Sequence, residues 1–175
     1  MKRAVLLVPL AVAIAAAEGL PEMRMTPTEI VSREVLVVET SRDPAGTSGV
    51  TGMHSTVIAG DPSKPGYYAI LLFVPRNSRI EAHSHPDDRI ATVVSGMWSF
   101  GYGKKFDPKV LVELPPGSVY TEPAGRDHFA QTGNEHVVIQ ISGVGPSGTR
   151  YVDPALDPSR PNKSATAAPV RRPRR

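Results

Sequence analysis

Short apolar and β-branched runs recur along this chain at intervals of roughly eight to twelve residues, with turn-formers between them. No long segment keeps a helical period. "IVSREVLVVE" alternates weakly and reads as a first strand, followed by the turn-rich "TSRDPAGTSGVTG". "MHSTVIAG" and "YYAILLFVP" are strand-like runs joined by "DPSKPG". "RIATVVSGMWSFGYG" holds two β runs broken at Gly96. "KVLVELPPGSVYTEPAG" reads as strand, tight turn, strand, and "HFAQTGNEHVVIQISGVGP" as a hairpin turning at "TGNE". This rhythm predicts an all-β sandwich or barrel.

Composition agrees. Eighteen prolines and fifteen glycines in 175 residues are too many for a helical bundle and suit one β domain with many turns. The two ends differ from the middle. "MKR" followed by "AVLLVPLAVAIAA" and the small residues Ala15, Ala16 and Ala17 has the order of a signal peptide. That apolar run is short and interrupted for a membrane span. The expectation is a signal peptide over 1–17, an N-terminal arm over 18–29, the β domain over 30–153 and a disordered basic tail over 154–175. The mature protein is then periplasmic or secreted and leaves the membrane after processing. The chain has no cysteine, which speaks neither for nor against export.

The net charge of +3 misleads. Eight of the twenty basic residues lie before residue 4 or from Arg160 onward, so residues 18–159 hold twelve basic against seventeen acidic residues, a formal −5. A nucleic-acid-binding face on such a body is not expected. The basic end "RRPRR" reads as a solvated tail.

The chemistry sits in two stretches. In "AHSHPDDRIATVVSG", His83 and His85 are two residues apart, which puts them on one face of a strand. An isolated pair of this kind is most simply two surface histidines. In "GSVYTEPAGRDHFAQT", Gly117, Pro123, Gly125 and His128 follow at set intervals. Together these stretches resemble the two motifs of the cupin superfamily. The first family motif runs glycine, five residues, His-x-His, three or four residues, glutamate, six residues, glycine. Here His83, His85 and Gly96 match, while Asn77 replaces the first glycine and Arg89 the glutamate. The second runs glycine, five residues, proline, x, glycine, two residues, histidine, three residues, asparagine. Here Gly117, Pro123, Gly125 and His128 match and Thr132 replaces the asparagine. The resemblance covers about residues 30–152 and implies a single-domain cupin, a jelly-roll β-barrel. It also implies one divalent transition metal (iron, manganese, nickel, copper or zinc) held by His83, His85 and His128.

Asn77 is a mild departure, because asparagine tolerates a positive φ better than other non-glycine residues. Arg89 is not mild. Its guanidinium keeps its charge and cannot ligate a metal. Three arrangements follow. The three histidines bind the metal and Arg89 pairs with Asp87, Asp88 or Glu122; or Asp87 or Asp88 becomes a fourth ligand, helped by Pro86; or the metal is lost and Arg89 with the histidines forms a cationic pocket for an anion. The first leaves positions open for water, oxygen or an anionic chelator such as an enolate or α-keto acid.

Arg89, Gln140, Tyr120 and Glu122 are the candidate ligand-binding residues. Gln140 is polar in a buried-looking strand. Tyr120 and Glu122 alternate near a strand end, where the plain expectation is an outward face and the alternative is that one of the two points into the barrel. Trp98, Phe100 and Tyr102, at period two, read as a packed barrel face or a dimer interface. His54 and His136 read as structural or surface residues. Two functions stand side by side: an oxygenase-, isomerase- or lyase-type metalloenzyme on a small polar metabolite, and a small-molecule-binding cupin without turnover. A homodimer is expected, since an exposed sheet edge is otherwise a liability.

Overall fold

The computed structural model describes residues 22–26, 28–29 and 47–160. The signal-peptide assignment, the strand expected at 30–39 and the tail beyond 160 lie outside the described residues. Among the described residues ten strands are present: β1 His54–Ala59, β2 Gly66–Val74, β3 Arg79–Ser84, β4 Arg89–Ser95, β5 Trp98–Tyr102, β6 Val112–Leu114, β7 Val119–Glu122, β8 His128–Thr132, β9 Val137–Gly145 and β10 Arg150–Tyr151. Two one-turn 3-10 helices, Pro108–Val110 and Pro154–Leu156, complete the described elements, the second followed by described chain to residue 160. Among the described residues no helix is long and apolar enough to cross a membrane.

The strands form two five-stranded sheets, β1-β2-β9-β4-β7 and β10-β3-β8-β5-β6, with every pairing antiparallel. The core lies between them. Alternate residues of β2 (Tyr68, Ile70, Leu72, Val74) and β9 (Val137, Ile139, Ile141) face it, joined by Ala91, Val93, Ile80, Trp98 and Phe100. The period of two read from the sequence is therefore the inside-outside alternation of a sheet with one buried face.

Turn chemistry fixes how the strands enter. Gly96 breaks β4 from β5 at φ +76, and a Cβ there would lie 2.3 Å from the His136 carbonyl oxygen. Asn77 has φ 55 and donates its backbone N–H to the Gly133 carbonyl at 2.6 Å. Asparagine thus occupies the left-handed position where the family pattern has glycine, and the turn into β3 is kept.

Candidate metal centre

Three elements bring the histidines together. His83 is the fifth residue of β3 and pairs directly with His128 at the start of β8. His85 lies one residue beyond the end of β3, yet still points inward. All three are buried, and their ligating nitrogens lie within 4.8 Å of one another. The rings pack closely, His83 and His128 tilted with centroids 4.4 Å apart and His83 and His85 edge to face at 5.0 Å.

Backbone carbonyls orient each ring. His83 Nδ1 lies 2.8 Å from the Glu81 oxygen, His85 Nδ1 2.6 Å from the Gly148 oxygen, and His128 Nδ1 2.9 Å from the Arg126 oxygen. A carbonyl can only accept, so each Nδ1 carries a proton and Nε2 is the nitrogen each ring turns into the cavity. The Nε2 atoms of His85 and His128 are buried without a hydrogen-bond partner. Buried acceptors left unpaired are costly, and three imidazoles fixed in this tautomer are the donor set a transition metal takes. The residues present fit such an ion. Burial, then the neighbouring His128, pulls the His83 pKa down to about 3. Burial, then Arg89, holds His85 well below its usual value. Both are neutral at neutral pH, as metal ligation needs.

Arg89 opens β4 and sits directly across the ladder from Glu122 at the end of β7. Its Nε donates to Glu122 Oε2 at 2.6 Å, and its Nη2 forms a second bond to the same oxygen. Both side chains are buried. Burial alone would raise the Glu122 pKa, but the Arg89 guanidinium and, after it, the three neighbouring histidines together outweigh burial and hold the carboxyl well below the usual range. Of the partners expected for Arg89, the structure selects Glu122.

Asp87 and Asp88, offered by one of the three arrangements as a fourth ligand, each place one carboxylate oxygen in a hydrogen bond away from the histidines, while Asp87 Oδ1 is buried without a partner. Asp87 Oδ2 accepts from the Tyr68 hydroxyl at 2.7 Å, and Asp88 Oδ1 accepts from the Ala124 N–H at 2.8 Å. The Tyr68 hydroxyl, desolvated by burial, is pushed up to about 12, so it stays a donor. Tyr120 and Glu122 both point inward, against the outward expectation, because β7 alternates exposed Val119 and Thr121 with these two. Tyr120 lies against Phe100, at 4.4 Å between centroids, in the wall of the histidine cavity. Gln140 is not at the site. It alternates with the core residues Ile139 and Ile141 on β9, so it faces away from the core and donates to Ser142 Oγ at 2.6 Å. Trp98 and Phe100 are packed into the cavity wall, while Tyr102 is partly exposed and donates its hydroxyl to the Thr121 carbonyl. His54 and His136 stack on either side of Phe73, away from the histidine cluster.

The cavity enclosed by His83, His85, His128, Glu122 and Phe100 has a volume of about 20 Å³. That is room for an ion or a single water.

No family model matches the chain, and no curated protein matches it in sequence. Solved structures do match in shape. The polyketide cyclase RemF from Streptomyces resistomycificus is 19% identical, with a TM-score of 0.53 over 67% of this chain and 80% of that one. A sugar phosphate isomerase from the cupin superfamily, from Silicibacter pomeroyi, is 14% identical, with a TM-score of 0.49 over 67% and 81%. A double-stranded β-helix protein from Klebsiella pneumoniae is 19% identical, with a TM-score of 0.47 over 67% and 94%. At these identities the likeness concerns the fold.

Proposed function

We propose that this chain, a member of the cupin superfamily by its fold and its two histidine motifs, binds one divalent transition metal through His83, His85 and His128 and presents it to a small anionic ligand. The observation that carries the reading is the shared orientation of the three imidazoles. Each is pinned by an Nδ1–H bond to a carbonyl, and their remaining nitrogens are gathered in one buried cavity. Bound there, the ion supplies Lewis acidity and a template for a chelating group.

Charge decides the class of ligand. The imidazoles of His83 and His85 are held neutral, and the Arg89 and Glu122 charges cancel. A divalent ion in this setting keeps its full double charge, which favours an anionic donor such as an enolate or α-keto carboxylate. The cavity of about 20 Å³ limits what enters beside the ion to one small donor group. Oxygenase- or isomerase-type chemistry is the reaction class that such a centre serves. A metal-free cationic pocket draws less support, because Glu122 answers the guanidinium on which that pocket would depend.

Elemental analysis of protein purified without an affinity tag, followed by titration of the stripped protein with iron(II), manganese, nickel, copper and zinc, tests the reading. One equivalent of tightly held metal is expected, with α-keto acid binding that requires it. Protein that takes up none of the five overturns it.

We also propose a homodimer formed through the outer face of the β1-β2-β9-β4-β7 sheet. Tyr67, Ile90, Val94, Val119 and Val144 are exposed there, interspersed with the polar Thr121, Gln140 and Ser142, a mixed face of the kind that two copies can share. A monomer mass in light scattering at every concentration would refute this.

A further inference from the structure

Antiparallel residues directly opposite each other project from the same face of the sheet. Arg89 and Glu122 are such a pair, and both project into the cavity. The acid missing from position 89 of β4 therefore has a counterpart one strand over, on β7. Glu122 Oε2 lies 3.7 Å from His85 Nε2, and Oε1 lies 3.8 Å from His128 Nε2. The Nδ1 of each ring is taken up by a backbone carbonyl, so these two Nε2 atoms, buried without a partner, are the nitrogens that face the carboxylate. The gap between them is too long for a hydrogen bond. A cation between the carboxylate and the two nitrogens satisfies both sides at once.

We propose that Glu122 is the fourth protein ligand of the metal, a carboxylate delivered from β7 instead of β4, with Arg89 as the anchor that fixes its orientation. This rests on the three-histidine reading. The Arg89 bonds described above both end on Oε2, and they hold the carboxylate plane beside the histidines. Arginine at position 89 then has a role: it keeps the relocated acid ionised and aimed, and it cancels the charge that the acid adds.

The test uses the full chain, stripped of metal and titrated with zinc. Glu122→Gln alone is ambiguous, since it also leaves the Arg89 charge beside the ion. The double variant Arg89→Met/Glu122→Gln removes the pair without changing the net charge. If Glu122 is a ligand, the double variant binds zinc at least about tenfold more weakly than wild type, since one of four protein donors is gone. The exchange variant Arg89→Glu/Glu122→Arg returns a carboxylate to the β4 position and recovers most of the affinity. A crystal structure of zinc-loaded wild type needs no variant to fold, and it should place a Glu122 oxygen about 2.0–2.2 Å from the ion. Unchanged zinc affinity in the double variant, or a Glu122 carboxylate more than about 3 Å from bound zinc, overturns the assignment and leaves the three-histidine centre standing. Wild type that binds no metal overturns both.

Discussion

The barrel interior has two ends, and single strands run through both. The inward row of β9 reads Val137, Ile139, Ile141 and then Gly143. Its neighbour β2 reads Val74, Leu72, Ile70 and then Tyr68 in register with it, and β4 reads Val93, Ala91 and then Arg89. At one end the side chains are branched and apolar and fill the space between the sheets. At the other the same strands present Tyr68 and Arg89, joined by Glu122 of β7, with His83, His85 and His128 opposite and Gly143 leaving room. The apolar end gains stability from burial, about 25 cal/mol for each Å² removed from water. The polar end spends some of that gain, because buried charges and unpaired imidazole nitrogens resist desolvation. One end specifies the fold, and the other is tolerated because of what it can bind.

This division is sharpest in the response to truncation. His83→Ala, His85→Ala or His128→Ala should each lower metal affinity by at least about 100-fold, because each removes one of the few protein donors the site offers. The stripped forms of these variants should be about as stable as stripped wild type, since each change removes a buried polar group that lacks a compensating ion. Metal titration beside urea denaturation of the stripped protein checks both halves. A His128→Ala protein that keeps wild-type metal affinity would break the assignment.

Ile139→Ala, in the apolar end, should do the reverse. Ile139 is fully buried between Leu72 and Val93. Its truncation should cost about 2–5 kcal/mol of stability and leave metal affinity within about threefold of wild type. A large loss of affinity would mean that the two ends are not separable.

How far each end was legible in the sequence follows the same line. The apolar end announces itself by period, and the strands read at "YYAILLFVP" and "HVVIQIS" are β2 and β9. The histidine cluster was legible as spacing, because a period of two and the resemblance of both stretches to known motifs bring the same three residues together. What spacing cannot give is the partner across a ladder. Arg89 and Glu122 are 33 residues apart, and nothing local says that β4 and β7 align them. Gln140 misled for the opposite reason. Flanked by Ile139 and Ile141 it looks interior, but β9 has one face turned outward, and the phase of the alternation puts Gln140 there. The brief β10 has only two residues, too few to carry a pattern.

Acid should separate the ends next. His83 and His85 have folded pKa values below the ordinary 6.5, so the unfolded chain binds protons that the folded chain refuses. Their contribution to stability is complete above about pH 6.5 and falls as the pH drops below it, toward about 3 for His83, at roughly 1.4 kcal/mol per pH unit at most for each histidine. Glu122, whose pKa is also lowered, adds to the loss below the usual carboxylate range near 4.5. Saturating metal should oppose the loss, since the ion binds only the folded, deprotonated site. Urea denaturation of the stripped protein at pH 7.5 and 5.5 should show the drop, and equal stability at the two would contradict the buried neutral histidines.

The smallest effect should come from Gly143→Ala, at the point where β9 passes from one end to the other. A Cβ built on Gly143 would lie 2.7 Å from the Tyr68 hydroxyl and 2.8 Å from Asp87 Oδ2, the two atoms joined by the Tyr68–Asp87 hydrogen bond. Neither side chain can retreat freely, because Tyr68 is fully buried and Asp87 nearly so. Crowding of this kind costs about 1–3 kcal/mol. Because Gly143 also pairs with Arg89 across the β4–β9 ladder, the shift should reach the Arg89–Glu122 pair and weaken metal binding by a few-fold, unlike Ile139→Ala. Adding Tyr68→Phe removes the hydroxyl that the methyl group meets at the shorter distance. If crowding is the cause, the double variant should recover part of the stability lost by Gly143→Ala alone. A double variant less stable than the sum of the two single changes would show that the glycine is needed for the backbone path of β9 and not for the room it leaves.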